Sequence, residues 1–229
     1  MEIKEKLAFT LAEVLITLGV IGVVAAITIP GLITSYNKKI TETRLAKFYS
    51  VFNQAIRLSV AENGDVDTWD DYWDNNGTIT GGQENQTGVE KAFDTYLRPY
   101  MQIAYKKRIH HGQDKILYVL PNGGAFAYNV WGTRDITFFP KDAEKCIARN
   151  KPIGTCSFMF IFYPISEAES WKYHYNKGIE PYLYDWDGSE AHLKSGATYS
   201  CANSGYYCTA MIKNNGWKIP KDYPLKLQY

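Results

Sequence analysis

Cysteine is absent from the first 145 residues of the chain; all four cysteines, Cys146, Cys156, Cys201 and Cys208, come after them. Neither sign of charge is in excess. Twenty-five Lys and Arg stand against 24 Asp and Glu, a net charge of +1, so nucleic-acid binding through bulk charge is not suggested. The motifs H-E-x-x-H, G-x-S-x-G, G-x-x-x-x-G-K-[ST] and G-x-G-x-x-G are all missing, so no motif-defined protease, hydrolase or nucleotide-binding class is indicated. Histidine is scarce. His110 and His111 are adjacent and so do not face one another, and His174 and His192 are isolated, so no two-histidine metal site is expected. Residues 62–90 contain no Lys or Arg, and residues 14–29 contain no charge of either sign.

That uncharged run is the main feature present. The stretch "AFTLAEVLITLGVIGVVAAITIP", Ala8 to Pro30, is apolar apart from Glu13. About 20 apolar residues suffice to cross a hydrocarbon core of about 30 Å. No A-x-A-like cleavage site comes after the run, so retention as an anchor is expected rather than removal as a secretory signal. An ionised carboxylate at bilayer depth costs about 2.5–3.5 kcal/mol, and a plain anchor does not account for Glu13. Nor does it account for the residues beyond Pro30. Leu45, Phe48, Tyr49, Phe52, Ala55 and Ile56 recur at three- and four-residue steps, an amphipathic helical stripe that should pack on a globular domain. Asn63-Gly64 supplies a stop. The pattern predicts one helix from Phe9 to about Glu62, bent or loosened at Gly19, Gly22 and Pro30.

The residues Ala8–Glu13, "A-F-T-L-A-E", together with the run, Pro30 and the amphipathic extension, resemble the N-terminal cleavage and methylation region of type IV pilins and type II secretion pseudopilins. Ala8 stands where that family usually has glycine. The resemblance implies a leader at 1–8, cleavage between Ala8 and Phe9 by a prepilin peptidase, and N-methylation of Phe9. It implies a transmembrane helical half at 9–29, a kink at Gly22 and Pro30, an amphipathic half at 30–62 and a globular periplasmic or extracellular head at 63–229. Glu13 would set subunit registry by meeting the α-amine of a neighbouring Phe9, because a buried charge is tolerable only when paired. The implied fold is α+β and pilin-like: a long N-terminal helix packed on an antiparallel sheet, with an elaborated C-terminal region. The implied function is non-enzymatic, a filament subunit held in the inner membrane before assembly. Its partners would be the peptidase, an assembly platform and other copies. The rival expectation is a membrane-anchored periplasmic binding protein or enzyme that keeps a pilin-like anchor.

The remaining residues add detail. Residues 62–90 read as an acidic loop, with Asp65, Asp67, Asp70, Asp71, Asp74, Glu84 and Glu90 in no EF-hand spacing. Residues 88–101 read as a short helix; the basic residues Lys91, Arg98, Lys106, Lys107 and Arg108 could pair with the acidic loop or simply be solvated, and solvation is preferred. Residues 115–131 read as a hairpin around Pro121–Gly124, with further strands at 135–139 and 156–165. The tail from Cys208 onward reads as a closing strand and a packed terminus. Four cysteines allow three connectivities. If they lie outside the cytoplasm, the local pairs Cys146–Cys156 and Cys201–Cys208 are the natural ones; four reduced, buried thiols are the alternative. Asp185 and Asp187 sit in a D-x-D-G turn that could supply calcium ligands, an idea the resemblance also carries, or could simply form Asx hydrogen bonds. No other cofactor is expected.

Overall fold

The computed structural model describes residues 10–69, 72–73, 88–111, 113–128 and 132–229, with the backbone alone at 110, 111, 113 and 114. The chain divides into two units, Met1–Lys38 and Lys39–Tyr229. Helix α1, Leu11–Asn63, begins in the first and ends in the second. Its described part in the first unit buries no residue. In the second unit Thr41, Glu42, Leu45, Phe48, Phe52, Ala55, Ile56 and Ser59 are buried, the three- and four-residue spacing of one helical face. The helix stops where expected. Gly64 takes φ +82°, and its amide donates to the Val60 carbonyl at 3.1 Å, closing the last turn in the conformation glycine adopts without penalty.

The second unit holds a six-stranded sheet in which every strand pairs antiparallel with its neighbour in sequence. The strands are β1 (Tyr105–His111), β2 (Gln113–Val119), β3 (Ala125–Tyr128), β4 (Asp135–Phe139), β5 (Phe158–Ile161) and β6 (Glu180–Pro181). The fold is therefore α+β, a long N-terminal helix with an antiparallel sheet. Strand alternation sends Ile116, Tyr118, Phe126, Tyr128, Ile136, Phe138, Phe158 and Phe160 to one face, where they bury against α1 and against α2 (Gly88–Tyr96). Phe48 is the hub: its ring stacks on Phe138 at 4.2 Å and meets Phe160 at 5.2 Å and Phe126 at 5.5 Å. The opposite face, with Leu117, Ala125, Ala127, Phe139, Met159 and Ile161, is covered by α3 (Ala143–Ala148) and by the C-terminal segments, which include α4 (Glu190–Lys194) and α5 (Cys208–Asn214).

Three expectations change here. The basic stretch at 105–111 is a strand and is not simply solvated. Lys106 reaches Glu90 at 3.1 Å and Asp94 at 3.3 Å, Arg108 reaches Glu90 at 3.3 Å, and Lys107 reaches Glu144 at 2.9 Å. Glu90 itself is only 4% exposed, so its carboxylate is tolerable there because cations face it. The expected closing strand after Cys208 is instead the helix α5, which lays Cys208, Thr209, Ala210 and Ile212 inward. The strand expected over 156–165 is shorter, Phe158–Ile161. Most of the acidic loop lies outside the described residues.

Candidate functional site

Ala8 and Phe9, the expected cleavage and methylation positions, lie outside the described residues. Thr10 and Glu13 lie within them and are joined. The Thr10 amide donates to Glu13 Oε2 at 2.8 Å, the Thr10 hydroxyl donates to the same oxygen at 2.8 Å, and the Glu13 amide donates to Thr10 Oγ1 at 3.3 Å. This is a capping box. It satisfies amides that have no partner inside the helix and places a negative charge at the positive end of the helix dipole. The signal is present in the sequence as Thr-Leu-Ala-Glu, the T-x-x-E pattern, which reading Glu13 only as a charge at bilayer depth passes over.

Beyond the cap, α1 is long and apolar enough to cross a membrane. Leu11, Leu15, Ile16, Leu18, Ile21 and Ile27 are all 60% exposed or more. Gly22 and Pro30 both fall inside the helix, which continues unbroken across them. Pro30 has no N–H to return to the preceding turn. The Thr34 hydroxyl donates to the Pro30 carbonyl at 2.9 Å, and Thr28 donates to Val24 in the same way at 2.9 Å. A Cβ added at Gly19, Gly22 or Gly31 would meet nothing within 4 Å, so these positions leave backbone open to close approach.

The four cysteines form two local disulfides, Cys146–Cys156 and Cys201–Cys208. The first ties α3 to the segment entering β5; the second ties the start of α5 to the loop after α4. Gly154 packs against the second bridge. It has φ +86°, and a Cβ there would lie 2.4 Å from Cys208 Sγ.

Asp185 takes φ +56°, and its amide donates to the Ser170 carbonyl at 2.9 Å. Asp187 Oδ1 accepts the Ser189 amide at 2.8 Å and lies 3.2 Å from His192 Nδ1, an Asx-type turn leading into α4. The Ser189 amide, more than any other neighbour, holds the Asp187 carboxyl below its ordinary pKa. Among the described residues, no group of three or more His, Cys, Asp and Glu is placed to hold a metal ion.

Sequence reasoning missed a polar cluster that locks the C-terminal region to α1. The Tyr49 hydroxyl donates to Glu180 Oε1 at 2.8 Å; Lys213 from α5 donates to Tyr49 at 3.0 Å and pairs with Glu180 on β6. Glu42 accepts the Ile219 amide at 3.0 Å and pairs with Lys218 at 3.4 Å. These partners of α1 lie more than 100 residues away along the chain, so spacing could not reveal them. His174 is buried, with Nε2 accepting the Leu183 amide at 3.1 Å. Burial, reinforced by Lys177, Lys213 and Arg134, pushes its pKa down to about 3, so it stays neutral and serves as packing and acceptor.

A model described as a family of unknown function, DUF6613, matches residues 31–227, and the chain belongs to that family. The segment from Thr10 to Pro30 lies outside the matched range. No curated protein matches the chain, and no solved structure matches it.

Proposed function

We propose that this DUF6613 member is a non-enzymatic filament subunit of type IV pilin or secretion-pseudopilin type, anchored by residues 9–29 before assembly. The observation that carries the proposal is the division of labour along α1. One stretch of a single helix is apolar on every side and exposed, and the next supplies one face of the core of a sheet-containing domain. Apolar surface left in water costs roughly 25 cal/mol per Å², so the first stretch requires a covering. Lipid covers it before assembly, and the matching helices of other copies cover it in a filament.

In this reading a prepilin peptidase removes residues 1–8 on the cytoplasmic side and Phe9 becomes the methylated terminus. Glu13 then pairs with the α-amine of a neighbouring Phe9, while an inner-membrane platform extracts the subunit. The domain from Lys39 onward lies in the periplasm or outside the cell, where its two disulfides are at home.

The test is the intact mass and N-terminal sequence of protein recovered from membranes of cells with an active prepilin peptidase. The expected chain starts at Phe9 and is heavier by one methyl group. A chain that still starts at Met1 beside an active peptidase overturns the reading and leaves a plain anchor.

A further inference from the structure

The sheet face turned away from α1 is covered in two pieces. One is built on α3 and the Cys146–Cys156 bridge, the other on the C-terminal segments around Tyr182, Leu193 and Tyr207. Where they part, a cavity of about 340 Å³ opens onto the sheet. Its floor is a register row, Ala127 paired with Thr137 and Thr137 paired with Met159. Two of these three side chains are small, which gives the cavity its depth. Ile147 and Ile109 form apolar walls, and Tyr206 stands at the C-terminal side.

The charged residues described in its lining are of one sign. Lys115 and Lys151 line it, and among the described residues no Asp or Glu does. Lys115 sits on the same face of β2 as Leu117 and Val119 and is half-buried. Among the described residues no carboxylate lies within ion-pair distance of it. The neighbouring cations of β1 differ, since Lys106, Lys107 and Arg108 each face an acid. Burial alone pulls the Lys115 ammonium below its ordinary pKa. A half-desolvated cation on an apolar floor is incomplete as a structural element and complete as half of an ion pair.

We propose that this cavity binds a small organic monoanion, an apolar body carrying one carboxylate, with the carboxylate on Lys115, the body over Ala127 and Met159, and Lys151 at the mouth. The volume falls in the range of small-molecule sites, and the mix of apolar walls with one polar anchor is their usual chemistry. The Thr137 hydroxyl, which donates to Met159 Sδ at 3.3 Å, also lines the cavity. The proposal is independent of filament assembly.

The test uses the full-length chain in lipid nanodiscs, titrated by calorimetry with 3-phenylpropanoate and, separately, with its neutral amide. The carboxylate is expected to bind at least tenfold more tightly than the amide. Lys115→Met should abolish that preference and Lys115→Arg should retain part of it, with the thermal midpoint confirming that each variant is folded. Equal affinities for acid and amide, or no saturable binding of either, overturn the proposal using the unaltered protein alone. A preference that survives in folded Lys115→Met overturns the assignment of the anchor.

Discussion

Thr10 and Glu13 cap α1 reciprocally, each accepting the other's backbone amide, at 2.8 Å into the carboxylate and 3.3 Å into the hydroxyl. Glu13 therefore has a task within its own chain besides the one proposed between chains. The two tasks need different chemistry. Capping needs an acceptor, which glutamine also supplies; pairing with a neighbour's amine needs a negative charge.

Glu13→Gln separates them. The variant should keep the helix and its membrane insertion yet enter filaments several-fold less than the parent, counted by immunoblot of sheared filaments. Thr10→Ala removes half of the cap, at about 1 kcal/mol, and leaves the charge, so its incorporation should stay close to normal. If Glu13→Gln assembles normally and Thr10→Ala does not, the registry role is wrong and the cap is what matters.

The disulfides close short loops, with sequence separations of 10 and 7. Chain-entropy reasoning assigns loops of that size about 2–3 kcal/mol each. The double substitution Cys201→Ala with Cys208→Ala should lower the unfolding free energy by about that amount in denaturant titrations. Gly154→Ala, which forces a Cβ onto Cys208 Sγ at a positive φ, should cost at least as much. A Gly154→Ala protein as stable as the parent would mean that this loop relaxes freely.

His174 makes the domain acid-sensitive. Unfolded, the imidazole takes its proton near pH 6.5; folded, it resists until about 3. Between those values the unfolded chain holds more protons, so stability should fall as pH drops through that window, by on the order of 5 kcal/mol in all. Lys177, Lys213 and Arg134 oppose the imidazolium and so extend the window to lower pH. His174→Gln keeps an acceptor for the Leu183 amide and does not titrate. Its stability curve from pH 6.5 to 4 should be flatter than the parent's; parallel curves would show that carboxylates govern the slope.

Phe48 joins the helix to three strands at once. Phe48→Ala should cost about 3–5 kcal/mol, and Phe48→Leu clearly less, by equilibrium denaturation. A loss below about 1 kcal/mol for the alanine variant would show that Phe138, Phe126 and Phe160 close over the gap, contrary to the close packing of such cores.

Much of the framework is legible without the structure. Helix α1 and its stop at Asn63-Gly64 come from a period of three to four and one backbone residue that tolerates positive φ. The hairpin of β2 and β3 comes from Pro121–Gly124 between apolar runs, and β4 from "DITFF" with the same bounds as observed. The T-x-x-E cap is equally legible and is easily missed, because a carboxylate in an apolar run invites a longer-range explanation. Strand β1 is hidden because Lys106, Lys107 and Arg108 read as surface until Glu90, Asp94 and Glu144 are placed beside them.

The sequence by itself therefore determined whatever is local: the apolar run and its lone carboxylate, the amphipathic stripe, the turn residues, and cysteines close enough along the chain to pair as neighbours. These depend on residues a few positions apart, where helical and strand periods act directly. Only the tertiary structure decided that α5 is a helix, that Glu180 holds Tyr49 and Lys213, that His174 is kept neutral, and that Lys115 faces a cavity in which no acid among the described residues meets it. Each of those depends on what burial brings from more distant segments. Burial sets the cost of an unpaired charge, and no local pattern records which distant partner offsets it.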